Sequence, residues 1–160
     1  MMLIRKKYLI YAVVVIILQL VIADLLTVRL VRPDFILIYI LYISVWEGRL
    51  WGIIIGFVLG LFIDFVGVAT YFGLSSLSYS IFAYLAGYLH GRYSKWPPIG
   101  FHLYGAGVIV IHFLFQLLIT SQHILTSNPQ VFWARVFFSA IYSLSFVIIT
   151  NLFLPLGTED

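Results

Sequence analysis

Residues 48–64 read GRLWGIIIGFVLGLFID, and this stretch carries the strongest structural pattern in the chain. Glycine recurs at every fourth position, and Asp64 takes the last place in the series. Because residues four apart lie nearly above one another on an α-helix, the spacing predicts a helix with a flat face that ends in a carboxylate. Small residues let helices approach closely in a membrane. The pattern therefore favours a packing face at Gly52, Gly56 and Gly60, on a helix inside the bundle; a backbone-lined ligand groove is the alternative.

The composition of the whole chain places this helix in a membrane. Of the 160 residues, 63% are hydrophobic and 9% are charged, and the mean hydropathy is +1.11. Soluble domains carry about 25% charged residues, so soluble globular, disordered and disulfide-scaffold classes are excluded. The chain has no cysteine, which removes disulfides, thiolate metal ligands and cysteine nucleophiles. The basic residues lie between apolar blocks and orient the chain, so they do not indicate a nucleic-acid partner.

Six apolar segments are separated by breaks that contain charges, glycine or proline. A transmembrane helix needs about 20 residues, so six helices use most of the chain and leave no room for a soluble domain. The second segment has only 13 residues, which leaves a re-entrant hairpin over residues 34–66, with five crossings, as an alternative. The predicted spans of this single transmembrane domain are 8–28, 34–46, 51–66, 71–89, 99–120 and 132–154.

The distribution of basic residues favours six crossings with both termini in the cytoplasm. Short cytoplasmic loops carry an excess of Lys and Arg, and six crossings place six basic residues inside and three outside. A re-entrant hairpin would move Arg92 and Lys95 to the outside. The first apolar run resembles a cleavable leader, but its length indicates a retained first span. The six cytoplasmic residues would be Arg5, Lys6, Lys7, Arg49, Arg92 and Lys95, against Arg29, Arg32 and Arg135 outside.

Asp64 is an acidic residue within a predicted span, where it needs a partner or a function. A hydrogen bond to the next loop or to the fourth helix is one interpretation, and a proton or cation site with a second acid nearby is the other. Several further charges are predicted near the same external face. We expect an external-side ion-pair cluster with a structural role, formed by Asp24, Arg29, Arg32, Asp34, Asp64 and Arg135.

Two further patterns concern helix contacts. The fourth segment carries a second series at spacing four, which makes a small-residue face that could pack against the first: Ser75, Tyr79, Ala83, Gly87 and Gly91. In the fifth segment, His112 and Gln116 lie one turn apart near the middle of the membrane, which indicates an interhelical hydrogen bond. No histidine has a second ligand at metal spacing, and no catalytic motif occurs. The sequence thus predicts no cofactor and no enzyme activity.

The order of several motifs resembles the MreD family of bacterial rod shape-determining membrane proteins. Arg32-Pro33-Asp34 opens the short second segment, and Gly56-Phe57-x-x-Gly60-Leu61-x-x-Asp64 follows in the third. Gly73-Leu74 and Leu85-Ala86-Gly87 then flank the fourth segment. The resemblance covers residues 30–95 in motifs and the rest of the chain in hydropathy only.

The resemblance implies an all-α, polytopic bundle of six transmembrane helices in the bacterial inner membrane. The family is similar to the substrate-binding subunits of energy-coupling-factor transporters. It implies a non-enzymatic subunit of the elongation machinery for lateral peptidoglycan synthesis, with no catalytic residue to carry over. The implied partners are membrane lipid, the single-span protein MreC, the MreB filament, the glycosyltransferase RodA and its transpeptidase partner.

Three functions follow as hypotheses. In the first, the small-residue faces of a scaffold bind the transmembrane helix of MreC. In the second, a small-molecule or vitamin-binding subunit of a transporter holds its ligand in a polar cavity around Asp64 and Tyr71 at the external face. Such subunits dock an ATPase-coupled module through small alanines of the first helix, where this chain has only Ala12 and Ala23. In the third, Arg29, Arg32 and Arg135 hold the phosphate of a lipid-linked precursor.

Overall fold

The computed structural model describes residues 2–27, 31–67 and 71–157, with backbone only for residues 2–7, Leu9 and Asp24. The described residues form helices and connecting turns without a β-strand, so the protein is an all-α membrane bundle, as predicted. Helix α1 covers Met2–Ile17 and continues through a π-helical turn, Leu18–Ile22, into Ala23–Leu25. The other helices are α2 (Phe35–Glu47), α3 (Arg49–Val66), α4 (Leu74–Ala86, extended by the 3-10 turn Gly87–Leu89), α5 (Pro98–Thr120), α6 (Gln122–Ser127) and α7 (Pro129–Phe153).

Three of these helices, α3, α5 and α7, are long and apolar enough to cross a membrane. The apolar part of α1, Ile10–Ile22, and all of α2 are shorter. Helix α2 rises about 20 Å over its 13 residues at the usual 1.5 Å per residue. Helices α1 to α5 and α7 follow the order of the six predicted segments, and the short helix α6 lies in the predicted break before the last of them. The number of full crossings stays a prediction.

Helix α2 is the buried centre of the bundle. Ten consecutive residues, from Ile36 to Val45, are buried, and α1, α3, α4 and α7 all pack against this helix. A helix that is apolar on every side is suited to complete burial. The sequence instead placed α3 inside the bundle, and that expectation is wrong: Ile54, Phe57 and Val58 on its outer face are exposed. Glycines at spacing four indicate that two helices approach closely. A helix that is apolar on every side is the one that lies at the centre of the bundle.

The glycine face of α3 packs against α4, and the two helices are antiparallel. A Cβ atom added to Gly60 would lie 2.5 Å from both Cα and N of Ser76, and one added to Gly56 would lie 3.0 Å from the carbonyl oxygen of Tyr79. At the other end of the pair, Gly87 lies against the backbone of Arg49. These contacts leave no space for side chains at the glycines.

The remaining two residues of the predicted packing faces also lie inside the chain. Gly52 faces α2, where an added Cβ would collide with the Ser44 hydroxyl. Ala83 on α4 is fully buried. The small-residue faces are therefore occupied by neighbouring helices of the same chain.

Candidate functional site

A group of buried polar side chains surrounds the N-terminus of α2. Asp34 caps this helix: its Oδ1 accepts a hydrogen bond from the backbone N–H of Leu37 at 2.8 Å. Its Oδ2 accepts a second from the hydroxyl of Tyr79 on α4, also at 2.8 Å. Because both carboxylate oxygens have donors, the helix can begin inside the bundle without an unpaired polar group.

Helices α1 and α7 contribute to the same group. Gln19 is the buried residue of the π-helical turn in α1, and its Oε1 accepts from the backbone N–H of Phe35 at 2.8 Å. The backbone N–H of Asp34 donates to the hydroxyl of Ser143 on α7 at 3.3 Å. Polar side chains from α1 and α7 thus supply acceptors for backbone donors at the start of α2, which ties three helices together.

His112 of α5 completes the group, which we call the core polar network (Gln19, Asp34, Ser78, Tyr79, His112 and Ser143). Its ring stacks on Tyr79 with centroids 5.2 Å apart, and its Nδ1 lies in hydrogen-bond contact with the Ser78 hydroxyl at 3.0 Å. Its Nε2 lies 3.9 Å from Oδ2 of Asp34. The interhelical contact of His112 therefore goes to α4, whereas Gln116 lines a cavity described below.

Tyr79→Phe tests whether this network stabilises the fold. We expect the free energy of unfolding to fall by about 1–2 kcal/mol, because Asp34 would lose a buried donor. Unfolding in mixed micelles with increasing SDS, followed by circular dichroism, measures it. Tyr11→Phe is the control, since Tyr11 is exposed. Equal stability of both variants would show that the Tyr79 hydroxyl contributes nothing.

A cavity of about 540 Å³ opens at the end of the bundle that contains the α3–α4 connection. Its lining combines the C-terminal turns of α3 and α5 with the first turn of α4. The sequence placed a possible polar cavity in this region. We call it the end cavity, and it is lined by Arg32, Ile63, Asp64, Gly67, Tyr71, Leu74, Ser75, Gln116, Thr120 and His123.

Asp64 is buried beside this cavity, and one of its partners belongs to the next loop. Its Oδ2 accepts a hydrogen bond from the backbone N–H of Gly73 at 2.9 Å. Gly73 has φ +90°, a conformation that glycine adopts without strain. The carboxylate thus fixes the connection from α3 to α4, which is the first of the two roles that the sequence suggested.

The predicted external cluster is only partly assembled among the described residues. Arg32 and Asp64 line the same cavity. Asp34 lies at the same end of the bundle and interacts electrostatically with Arg32, but it is buried in the core polar network. The carboxylate of Asp34 can be buried because the Tyr79 hydroxyl and the backbone amide of Leu37 donate hydrogen bonds to it. Arg135 is half-buried on α7 and makes no ion pair with a described acid. Arg29 and the side chain of Asp24 lie outside the described residues.

Two features of the site were not singled out from the sequence. Gln19 and Ser143 are isolated polar residues within long apolar segments, and an isolated polar residue in a span is itself a signal of an interhelical contact. Their partner, the start of α2, is distant along the chain. Among the residues whose side chains are described, no three His, Asp or Glu are grouped in a way that could hold a metal ion.

A second hollow lies between α1, α2 and α7. It has a volume of about 280 Å³ and a largely apolar lining. Aromatic residues gather at one end of it, where Tyr8 donates a hydrogen bond to Glu47 at 2.6 Å. Unlike the end cavity, this groove offers few groups that could bind a polar ligand.

Comparison with known proteins gives one family. The family model described as rod shape-determining protein MreD matches residues 3–155. Neither a curated protein nor a solved structure matches the chain. The match extends beyond residues 30–95, where the sequence motifs lie, and includes α5 and α7.

Proposed function

Because the chain belongs to the MreD family of rod shape-determining membrane proteins, we propose that it is a non-enzymatic scaffold that binds MreC. The described chain consists almost entirely of membrane helices joined by short links. Such a protein acts on its partners through contacts within the membrane or at its surface. In this proposal it joins MreC to RodA, to the transpeptidase partner of RodA and to the MreB filament, with both termini in the cytoplasm.

The small-residue faces are poor candidates for the MreC contact. Gly52, Gly56 and Gly60 lie against α2 and α4, and Gly87 lies against Arg49. A partner helix would have to separate α3 from α4 to reach them. We therefore propose a different surface for the partner, the end cavity.

The lining of the end cavity suits a segment of polypeptide. Gln116 offers an amide, and Ser75 and Thr120 offer hydroxyls, so donors and acceptors stand side by side. Every peptide group except that of proline also carries one donor and one acceptor. We propose that the segment of MreC that adjoins its transmembrane helix enters this cavity.

The charge of the lining distinguishes this proposal from the binding of a lipid-linked phosphate. Arg32 brings one positive charge into the cavity and Asp64 brings one carboxylate. A pyrophosphate site needs an excess of positive charge. Arg135, which the phosphate hypothesis also used, is not part of the lining. The balanced lining thus favours a polypeptide.

One observation favours a second candidate function, a small-molecule-binding subunit of a transporter. The volume of the end cavity, about 540 Å³, falls within the range of about 300–1,000 Å³ that is usual for ligand pockets. In the predicted orientation, the cavity also opens at the external face, where such a subunit needs its ligand site around Asp64 and Tyr71. Membership of the MreD family ranks the scaffold first.

Photo-crosslinking in cells separates the two candidates. A photoreactive amino acid at Tyr71, which is exposed and lines the cavity, is expected to capture MreC. The same amino acid at Val58, which is exposed on the outer face of α3, is the control and is expected to capture no MreC. Capture of an ATPase-coupled membrane module at Tyr71, without MreC, would support the transporter instead.

A further inference from the structure

The end of the bundle opposite the end cavity carries a compact group of arginine and aromatic side chains. Helix α3 begins there at Arg49, α4 ends there, and the link from α4 to α5 crosses it. Because these helices are antiparallel, the three segments meet at one level of the bundle. We call this group the basic aromatic patch, formed by Arg49, Tyr84, Tyr88, Arg92, Lys95 and Trp96.

Two arginines in this patch stack on the same tyrosine. The Cζ atom of Arg92 lies 3.7 Å from the centre of the Tyr88 ring, and that of Arg49 lies 5.3 Å from it. Arg49 also lies 4.8 Å from the ring centre of Tyr84. The Tyr88 ring is itself held by Trp96, with centroids 5.9 Å apart. Each guanidinium is thus fixed by an aromatic face.

The three basic residues of the patch outnumber the acidic side chains that the structure describes at this end of the bundle, where Glu47 is the one described acid. Asp34 and Asp64 lie at the other end of the bundle. Glu47 lies at this end, but its carboxylate accepts a hydrogen bond from Tyr8 and forms no described ion pair with the patch. The described residues contain no ion pair that involves Arg49, Arg92 or Lys95. Two guanidiniums on one ring repel each other, so an anion between them would lower the energy of the arrangement.

The geometry also leaves suitable donors for such an anion. A guanidinium that stacks through its flat face keeps the N–H groups along its edge free to bond. Those groups match the spacing of two phosphate oxygens. The patch therefore combines unbalanced charge with donors suited to phosphate.

The exposed apolar surface beside the patch favours a lipid headgroup over free phosphate as the ligand. Leu50 is 65% exposed and Tyr84 is 52% exposed, and Trp51 also reaches the outer surface of the bundle. Aromatic residues at this level of a span are typical of the membrane interface, and basic pockets beside spans bind lipid headgroups. We propose that the basic aromatic patch binds the headgroup phosphate of an anionic phospholipid, whose acyl chains lie along α3 and α4.

Native mass spectrometry of the purified protein tests this site. Phosphatidylglycerol is expected to bind more tightly than phosphatidylcholine with the same acyl chains. Arg92→Gln should weaken the binding of phosphatidylglycerol roughly fivefold, and the double variant Arg49→Gln, Arg92→Gln should weaken it roughly thirtyfold. Each basic residue near the lipid surface contributes about 1 kcal/mol to binding. Equal binding of the two lipids by the unchanged protein would overturn the proposal.

Three controls make the result specific. Arg135→Gln removes a charge at the opposite end and is expected to leave the lipid affinity unchanged. A loss of lipid affinity as large as that of Arg92→Gln would overturn the proposed site. Because Arg49 packs against Gly87, the double variant could unfold, and circular dichroism is used to check that it is folded. If it is unfolded, the lipid affinity of Arg92→Gln alone tests the site. Excess inorganic phosphate is expected not to displace the lipid. Displacement would identify a free-phosphate site instead.

Discussion

Gly60→Leu is expected to lower the free energy of unfolding by about 3 kcal/mol or more. The added Cβ atom alone would lie 2.5 Å from two backbone atoms of Ser76, and backbone atoms cannot move aside as a flexible side chain can. Overfilling a packed interior costs about 1–3 kcal/mol and more where the surroundings are rigid. SDS-induced unfolding in mixed micelles, followed by circular dichroism, measures the change.

Gly107→Leu is the matched control for this substitution. Gly107 is an exposed glycine on α5, and an added Cβ would meet no atom within 4 Å. We expect its effect to stay within about 0.5 kcal/mol, as for most surface substitutions. Similar stability of the two variants would contradict the close packing of α3 against α4.

Thr120→Trp is expected to reduce the amount of MreC that co-purifies with the protein by at least an order of magnitude. Thr120 lines the end cavity near the end of α5, and it is exposed. An indole at this position would fill space that the partner needs, without entering the core of the bundle. Loss of a well-packed central contact costs about 2 kcal/mol or more of binding energy, and about 1.4 kcal/mol already corresponds to a factor of ten in affinity.

Leu118→Trp controls for the size of the new side chain. Leu118 is exposed on the same helix but is not part of the cavity lining. The variant is expected to retain MreC as the unchanged protein does. Loss of MreC from both variants would show that any large residue near the end of α5 disturbs the complex. The result would then give no support to the end cavity as the binding site.

The close pairing of α3 and α4 could be anticipated from the sequence because its cause is local. Small residues at spacing four define a face on each helix, and the two faces meet in the bundle. The central position of α2 follows from its uniform apolarity, and the length of the segment bears only on whether it crosses the membrane. Ten consecutive buried residues are the physical consequence of that uniformity.

The core polar network is harder to foresee, because its members are far apart along the chain. Asp34 and Ser143 are 109 positions apart, and Asp34 and Tyr79 are 45 apart. By contrast, Asp64 and Gly73 are separated by 9 positions, and a bond from Asp64 to the next loop was among the interpretations. Sequence patterns define faces and loops, whereas the partners of isolated polar residues depend on how helices are arranged.

The motifs that carry the resemblance to the MreD family have structural roles in this chain. Asp34 of the Arg-Pro-Asp motif caps α2 and accepts from Tyr79. In the third helix, Gly56 and Gly60 admit the backbone of α4, and Asp64 fixes the loop that follows. These residues set the position of α3, α4 and the connection between them, which form much of the end cavity.

The most direct test of the scaffold proposal is the affinity of purified MreC for this protein in lipid nanodiscs. The unchanged protein and Leu118→Trp are expected to bind MreC with the same dissociation constant. Thr120→Trp is expected to bind at least an order of magnitude more weakly while its circular dichroism stays that of the folded bundle. Equal affinity of all three proteins would contradict binding through the end cavity, and no affinity of the unchanged protein would contradict the scaffold itself.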